Sequence, residues 1–179
     1  MSPFIKSFLE IALAEVGTKE EGGNNLGRRV KEYQRATWLQ PAPWPWCAAF
    51  VAWVMMKWTI AHESQLETYF KVDQISTWRC HDASAFGWVK WAQRNGIYIT
   101  DENEPAKAGD IAVFDFPHIG IVIADQLPGK DYIETVEGNT NGKGERDSVS
   151  GDGVWKKYRK TNLVRAYIRL IKEEAMVLA

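Results

Sequence analysis

The residue most directly suited to chemistry is Cys47, in the stretch PAPWPWCAAFVAW (41–53). A thiol becomes a useful nucleophile only as its thiolate, so a reactive cysteine needs surroundings that favour negative charge. Pro45 cannot lie inside a helix, and helix-favouring residues begin with Ala48 and Ala49, which predicts Cys47 at a helix N-terminus. Unpaired N–H groups and the positive end of the helix dipole favour a thiolate there, and the N–H of Cys47 is available for an oxyanion. The competing role is packing. Free cysteine is among the most buried residue types, and Ala-Phe-Val follows this one closely.

A base has to come from three histidines. His62 in AHES and His81 in RCHDAS fall in the helical half, where surface or capping roles are expected. The adjacency of Cys80 and His81 makes neither a dyad nor a metal site. His118 opens a strand in FPHIGIVIAD. The two-residue period of a strand puts 118, 120 and 122 on one face and leaves Ile119, Ile121 and Ile123 for the core.

A third group must orient the imidazole. The turn-forming QLPGK (126–130) between IGIVIAD and DYIETVEGN signals a hairpin. Centred on Leu127–Pro128, it sets His118 opposite Glu137; centred on Pro128–Gly129, it sets His118 opposite Asn139. Residues 137 and 139 share a face, so either register brings a hydrogen-bonding side chain to His118. Alone, Glu137-Gly138-Asn139 reads as a polar strand end entering a loop. A helix-tip cysteine, a strand-borne histidine and a cross-strand Glu or Asn together make the general constellation of a papain-like site.

The elements that would position these residues follow a simple order. Phe4, Ile5, Phe8, Leu9, Ala12 and Val16 recur at helical spacing in a first helix ending near Gly17. Asn24 or Asn25 is expected to cap a second, with Leu26, Val30 and Tyr33 on one side. Residues 46–58 are apolar nearly all round, as in a central buried helix. A fourth helix is expected from Asp82, as N-cap, to Asn95, closed by Gly96. Then IAVFDF, IGIVIAD, DYIETVE, GVWKKY and VRAYIRL read as strands. Helices first and strands afterwards predict an α+β fold, N-terminal helices packed on a C-terminal antiparallel sheet. Residues 1–179 are expected as one domain with its core over about 6–170 and a possible tail at 171–179. The Gly/Asn/Ser-rich loop 138–153 is long enough to suggest a functional rim.

Composition removes several function classes. There are 22 Lys+Arg against 23 Asp+Glu, a formal charge of -1, so nothing supports a nucleic-acid partner. The cluster Lys156, Lys157, Arg159, Lys160 is expected to be a solvated strand face. Glu10 and Glu15 interrupt the N-terminal apolar run, which therefore reads as a retained helix, not a signal peptide; synthesis in the cytosol is expected. The stretch 46–58 is too short to span a bilayer. Two cysteines in a reducing compartment predict free thiols over a bridge. Nine tryptophans could build a core or line a groove.

From about Lys6 to Leu170 the chain resembles the CHAP domain, the cysteine, histidine-dependent amidohydrolases/peptidases that cut peptidoglycan. The carriers are GGNNLGRRVKEYQ, PWCAAFVAW, KAGDIAVFDFPHIGIV, and VEGNTNG followed by DGVWKKY. The resemblance implies a papain-like CHAP/NlpC-type fold, Cys47 as nucleophile, His118 as general base, and Glu137 orienting His118. It implies Asn139 as a fourth member, assisting the imidazole or the oxyanion region. The implied substrate is the peptide part of peptidoglycan. The lack of a signal peptide together with a bare catalytic domain suits equally a phage lysin that reaches the wall by holin-dependent release and an effector injected through a delivery system, and a monomer is expected. Rival readings are a catalytically idle wall-binding or virion protein of the same fold and an NlpC-type toxin effector. The link FDFP before His118 is shorter than in many relatives. No Asp-rich calcium loop is present in the sequence, so neither metal nor cofactor is expected.

Overall fold

The computed structural model describes residues 1–100, 103–141 and 151–172. Most of the loop expected as a rim (142–150) and the tail 173–179 lie outside the described residues. Among the described residues six helices come first: α1 (Pro3–Leu13), α2 (Arg28–Gln34), α3 (Cys47–Ala61), α4 (Glu63–Phe70), α5 (Ile75–Trp78) and α6 (Ala85–Arg94). Six strands follow: β1 (Tyr98–Thr100), β2 (Ile111–Phe114), β3 (Ile119–Val122), β4 (Tyr132–Thr140), β5 (Gly153–Lys160) and β6 (Val164–Arg169). They form one antiparallel sheet in the order β1-β6-β2-β3-β4-β5. This is the α+β arrangement expected from the order of periodicities.

Helix α3 is the centre of the helical layer. Eleven of its 15 residues are buried, on all sides of the helix, because α1 and α2 cover one flank and β3 and β4 the other. A helix so enclosed needs no polar face, which is why its sequence shows none. Each fully buried large side chain there contributes roughly 1.5–3 kcal/mol. Five of the tryptophans (Trp46, Trp53, Trp58, Trp88, Trp91) are buried, so most of them build core. The indole N–H of Trp58 bonds Phe4 O, that of Trp88 bonds Asp82 O, and that of Trp91 bonds Trp78 O, which removes the cost of burying the donors.

Two helix starts differ from expectation. Gly27, not Asn24 or Asn25, precedes α2; Asn25 instead turns the chain at φ 59°. Ser84 is the residue before α6, and Asp82 accepts from its N–H at 2.8 Å. Helices α4 and α5 and strand β1 add to the elements read from the sequence. The buried Asp110 of the KAGD motif ties the sheet together by accepting both Nε and Nη2 of Arg169 at 2.8 Å. It joins the start of β2 to the end of β6, a structural role for that motif.

The sheet has two apolar faces. Ile111, Val113, Ile119, Ile121 and Val136 meet the helices; Ala112, Phe114, Val122, Ile133 and Tyr167 form a smaller cluster on the opposite face with Phe116. Strand alternation assigns His118, Gly120, Thr135 and Glu137 to this second face.

Candidate active site

Cys47 is the first residue of α3, and no side chain caps that helix N-terminus. The first N–H groups of a helix have no partner within it, so backbone donors surround the thiol. The approach to this tip is firmly held. Gln34 Nε2 donates to Ala42 O at 2.7 Å and Trp44 O at 3.2 Å, which secures the proline-rich loop. Trp46 is fully buried, bonds Glu20 through its indole N–H at 2.8 Å and stacks on Tyr33 at 5.4 Å. Tyr33 in turn donates to Glu15, which Arg29 also holds.

The helix tip reaches the sheet because Gly138 has no side chain. A Cβ there would lie 2.6 Å from Phe50 Cβ and 2.8 Å from Trp46 Cζ3. Close approach of α3 to β4 therefore depends on this glycine.

His118 is completely buried just before β3. Its ring stacks on Phe114 at 5.8 Å and Phe116 at 5.9 Å. Nε2 contacts Glu137 Oε2 at 2.8 Å. Cys47 is the other group that interacts with the ring. Nε2 is held by Glu137 and Nδ1 has no hydrogen-bond partner, so Nδ1 is the nitrogen left for the thiol. Burial works against a charged imidazole, but the interactions with Cys47 and Glu137 outweigh it and raise His118 to about 9.

Glu137 is also completely buried and fully engaged. Oε1 accepts from Thr135 Oγ1 at 2.6 Å and Arg159 Nε at 2.9 Å; Oε2 accepts from Arg159 Nη2 at 2.5 Å as well as facing His118. Burial alone would raise this carboxyl, but Arg159 and His118 overcome it and hold it down at about 2.

The hairpin takes the second of the two registers. Ile121 pairs with Val136 and Val122 with Thr135, a register that sets Glu137 against Gly120. Yet His118 bonds Glu137, diagonally across the face, and Asn139 makes no hydrogen bond to the ring. Asn139 is buried at φ 52°, within the irregular stretch of the β4–β5 pairing between Glu137 and Thr140. Asparagine tolerates that conformation better than most residues.

Arg159 corrects the reading of the basic cluster. Lys156 and Lys160 are solvated as expected, but Arg159 is completely buried and Lys157 nearly so, with its ammonium on Asn141 O at 2.8 Å. The usable signal was strand alternation. A carboxylate on the Ile133-Thr135-Glu137 face needs a cation, and β5 offers Lys157 and Arg159 on that same face. Neither remaining histidine joins the site: His62 contacts Ser7 at 2.9 Å at the α3–α4 junction, and His81 stacks on the exposed Trp38. Cys47 and Cys80 are both free thiols. Among the described residues, no helix is long and apolar enough to cross a membrane.

The family model for the CHAP domain matches residues 39–139, a span from the loop before Cys47 through Asn139. No curated protein and no solved structure matches the chain closely enough to add to this.

Proposed function

The chain belongs to the CHAP domain family, a family of cell-wall amidases and peptidases that typically depend on cysteine, and from that premise we propose that it hydrolyses an amide bond in the peptide part of peptidoglycan through a thioester on Cys47. The observation that carries this reading is the 2.8 Å contact between His118 Nε2 and Glu137, which leaves Nδ1 for the thiol at an uncapped helix tip.

In this reading the Cys47 thiolate attacks the amide carbonyl, and N–H groups at the start of α3 stabilise the oxyanion. As the tetrahedral intermediate collapses, His118 gives its Nδ1 proton to the leaving amine and the acyl group remains on sulfur. His118, now neutral, takes a proton from water, hydroxide character develops at the thioester carbon, and the thiolate leaves. Glu137 keeps the Nε2 proton in place and stabilises the imidazolium formed in each cycle. Because Glu137 occupies Nε2, Asn139 is assigned to the oxyanion side of the site. The scissile bond is either the sugar–L-Ala amide or one within the stem or cross-bridge.

Purified peptidoglycan incubated with wild type and Cys47→Ala tests this. Loss of turbidity with wild type alone is expected; loss with both proteins, or with neither, removes Cys47 catalysis. Mass spectrometry of the released fragments identifies the bond.

A further inference from the structure

Four ionisable groups are packed together away from water: Cys47 at 5% exposure and His118, Glu137 and Arg159 at 0%. In the reactive form of a thiol–imidazole pair the sulfur is negative and the ring positive, so a carboxylate beside them leaves the set with one negative charge. An unbalanced charge in a dry site is strongly disfavoured, and a proton would be drawn in to remove it. Arg159 supplies the missing positive charge. It grips Glu137 with Nε on one oxygen and Nη2 on the other, and its guanidinium lies over Phe114 at 5.3 Å and Phe116 at 5.9 Å. His118 stacks on the same two rings. Arg159, Glu137 and His118 therefore form a row against one aromatic wall, ending at Cys47.

We propose that Arg159 is a positioning residue for the reaction: its two-point hold on Glu137 balances the charge that lets a thiolate, an imidazolium and a carboxylate coexist in a buried site. Among the described residues, His118 before β3 and Arg159 from β5 face Glu137, and Cys47 from α3 faces His118; Lys157, next to Arg159 on that face, directs its ammonium to Asn141 O. Arg159 touches no reacting atom. It acts through Glu137, and the inference rests on Cys47 being the nucleophile proposed above.

The test is the pH dependence of iodoacetamide alkylation, followed by mass spectrometry at the Cys47 peptide so that Cys80 is counted separately. Arg159→Gln is expected to move the acidic limb to higher pH by about one unit, roughly tenfold less reaction at pH 6. Glu137→Gln is expected to move the same limb to lower pH, because it leaves the guanidinium as the unmatched charge. Combining the two changes should restore reactivity at pH 6 relative to Arg159→Gln alone. Arg159→Lys, which keeps the charge and loses the fork, should leave the limb in place while lowering kcat on peptidoglycan more than it raises KM.

Equal loss of reaction at every pH in Arg159→Gln, with no shift of the limb, would reduce Arg159 to a structural role and overturn the proposal. If Arg159→Gln does not fold, Glu137→Gln decides: an unmoved limb there overturns the proposal as well. Limb shifts as stated, in a protein that leaves peptidoglycan intact, uphold the charge balance and overturn the substrate assignment instead.

Discussion

Glu137 occupies the space in front of Gly120. A Cβ on Gly120 would lie 2.5 Å from Glu137 Cγ and 3.3 Å from its Cδ, so the carboxylate reaches His118 by passing over a residue with no side chain. The pairing of Ile121 with Val136 and Val122 with Thr135 sets Glu137 against Gly120, and the gap at Gly120 lets the carboxylate reach the ring diagonally. Gly120→Ala should therefore displace Glu137 from the ring. We expect kcat to fall by about 10²-fold or more while far-ultraviolet circular dichroism stays native, with a stability loss of roughly 1–3 kcal/mol from overpacking. Wild-type turnover in a folded Gly120→Ala protein would refute the slot.

Glu137→Gln keeps the volume and removes the charge. The imidazolium then loses its stabilising partner, and one amide end meets Arg159 donor to donor. Turnover should fall by roughly 10²–10⁴-fold with KM changed far less, as for other oriented imidazoles. Steady-state kinetics on peptidoglycan fragments checks this.

The pH dependence has a defined sign. His118 is raised to about 9 from an ordinary 6.5, so kcat/KM should decline as pH rises through about 9, where the proton for the leaving amine is lost. In Glu137→Gln that alkaline limb should move to lower pH. Stability follows the same linkage. The contribution of the raised His118 is complete below 6.5 and lost as pH climbs through about 9; that of the lowered Glu137 is complete above 4.5 and lost as pH falls through about 2. Melting temperatures measured from acid to alkaline pH should show this plateau in wild type and a weaker version in Glu137→Gln.

Gly138 sets the distance between helix and sheet. With Phe50 and Trp46 within 2.8 Å of any added Cβ, Gly138→Ala must push the tip of α3 away. We expect about 1–3 kcal/mol of destabilisation by denaturant melts, and a loss of turnover larger than that stability loss accounts for, since Cys47 moves with the tip.

Asn139 separates backbone from side-chain roles. Its φ of 52° suits glycine at least as well, so Asn139→Gly should melt close to wild type, while Asn139→Ala should lose roughly 1–2 kcal/mol. If the amide serves the oxyanion side, both substitutions lower kcat. Full activity in Asn139→Gly would leave the residue a purely conformational role.

Much of this site is legible along the chain because its signals are local. Proline followed by alanines marks the helix tip at Cys47, and a two-residue period turns His118 away from the isoleucine face. Helices before strands determine the α+β order, and the PWCAAF, PHIGIV and VEGN stretches carry the family resemblance. The same local reasoning misplaced the start of α2, because a cap depends on how the preceding loop turns, and Asn25 turns it too early.

What the tertiary structure alone decided concerns distances between strands and charges between elements. Register could place Glu137 or Asn139 across from His118, and neither alternation nor turn chemistry reveals that the bond would run diagonally over Gly120. Arg159 looked like one member of a solvated basic run, since it lies 22 positions from Glu137 in the sequence. Its burial follows only once β5 lies against β4 and a carboxylate buried on that face demands a cation. Local periodicity determines which way a side chain points; long-range packing decides which charge it must meet there.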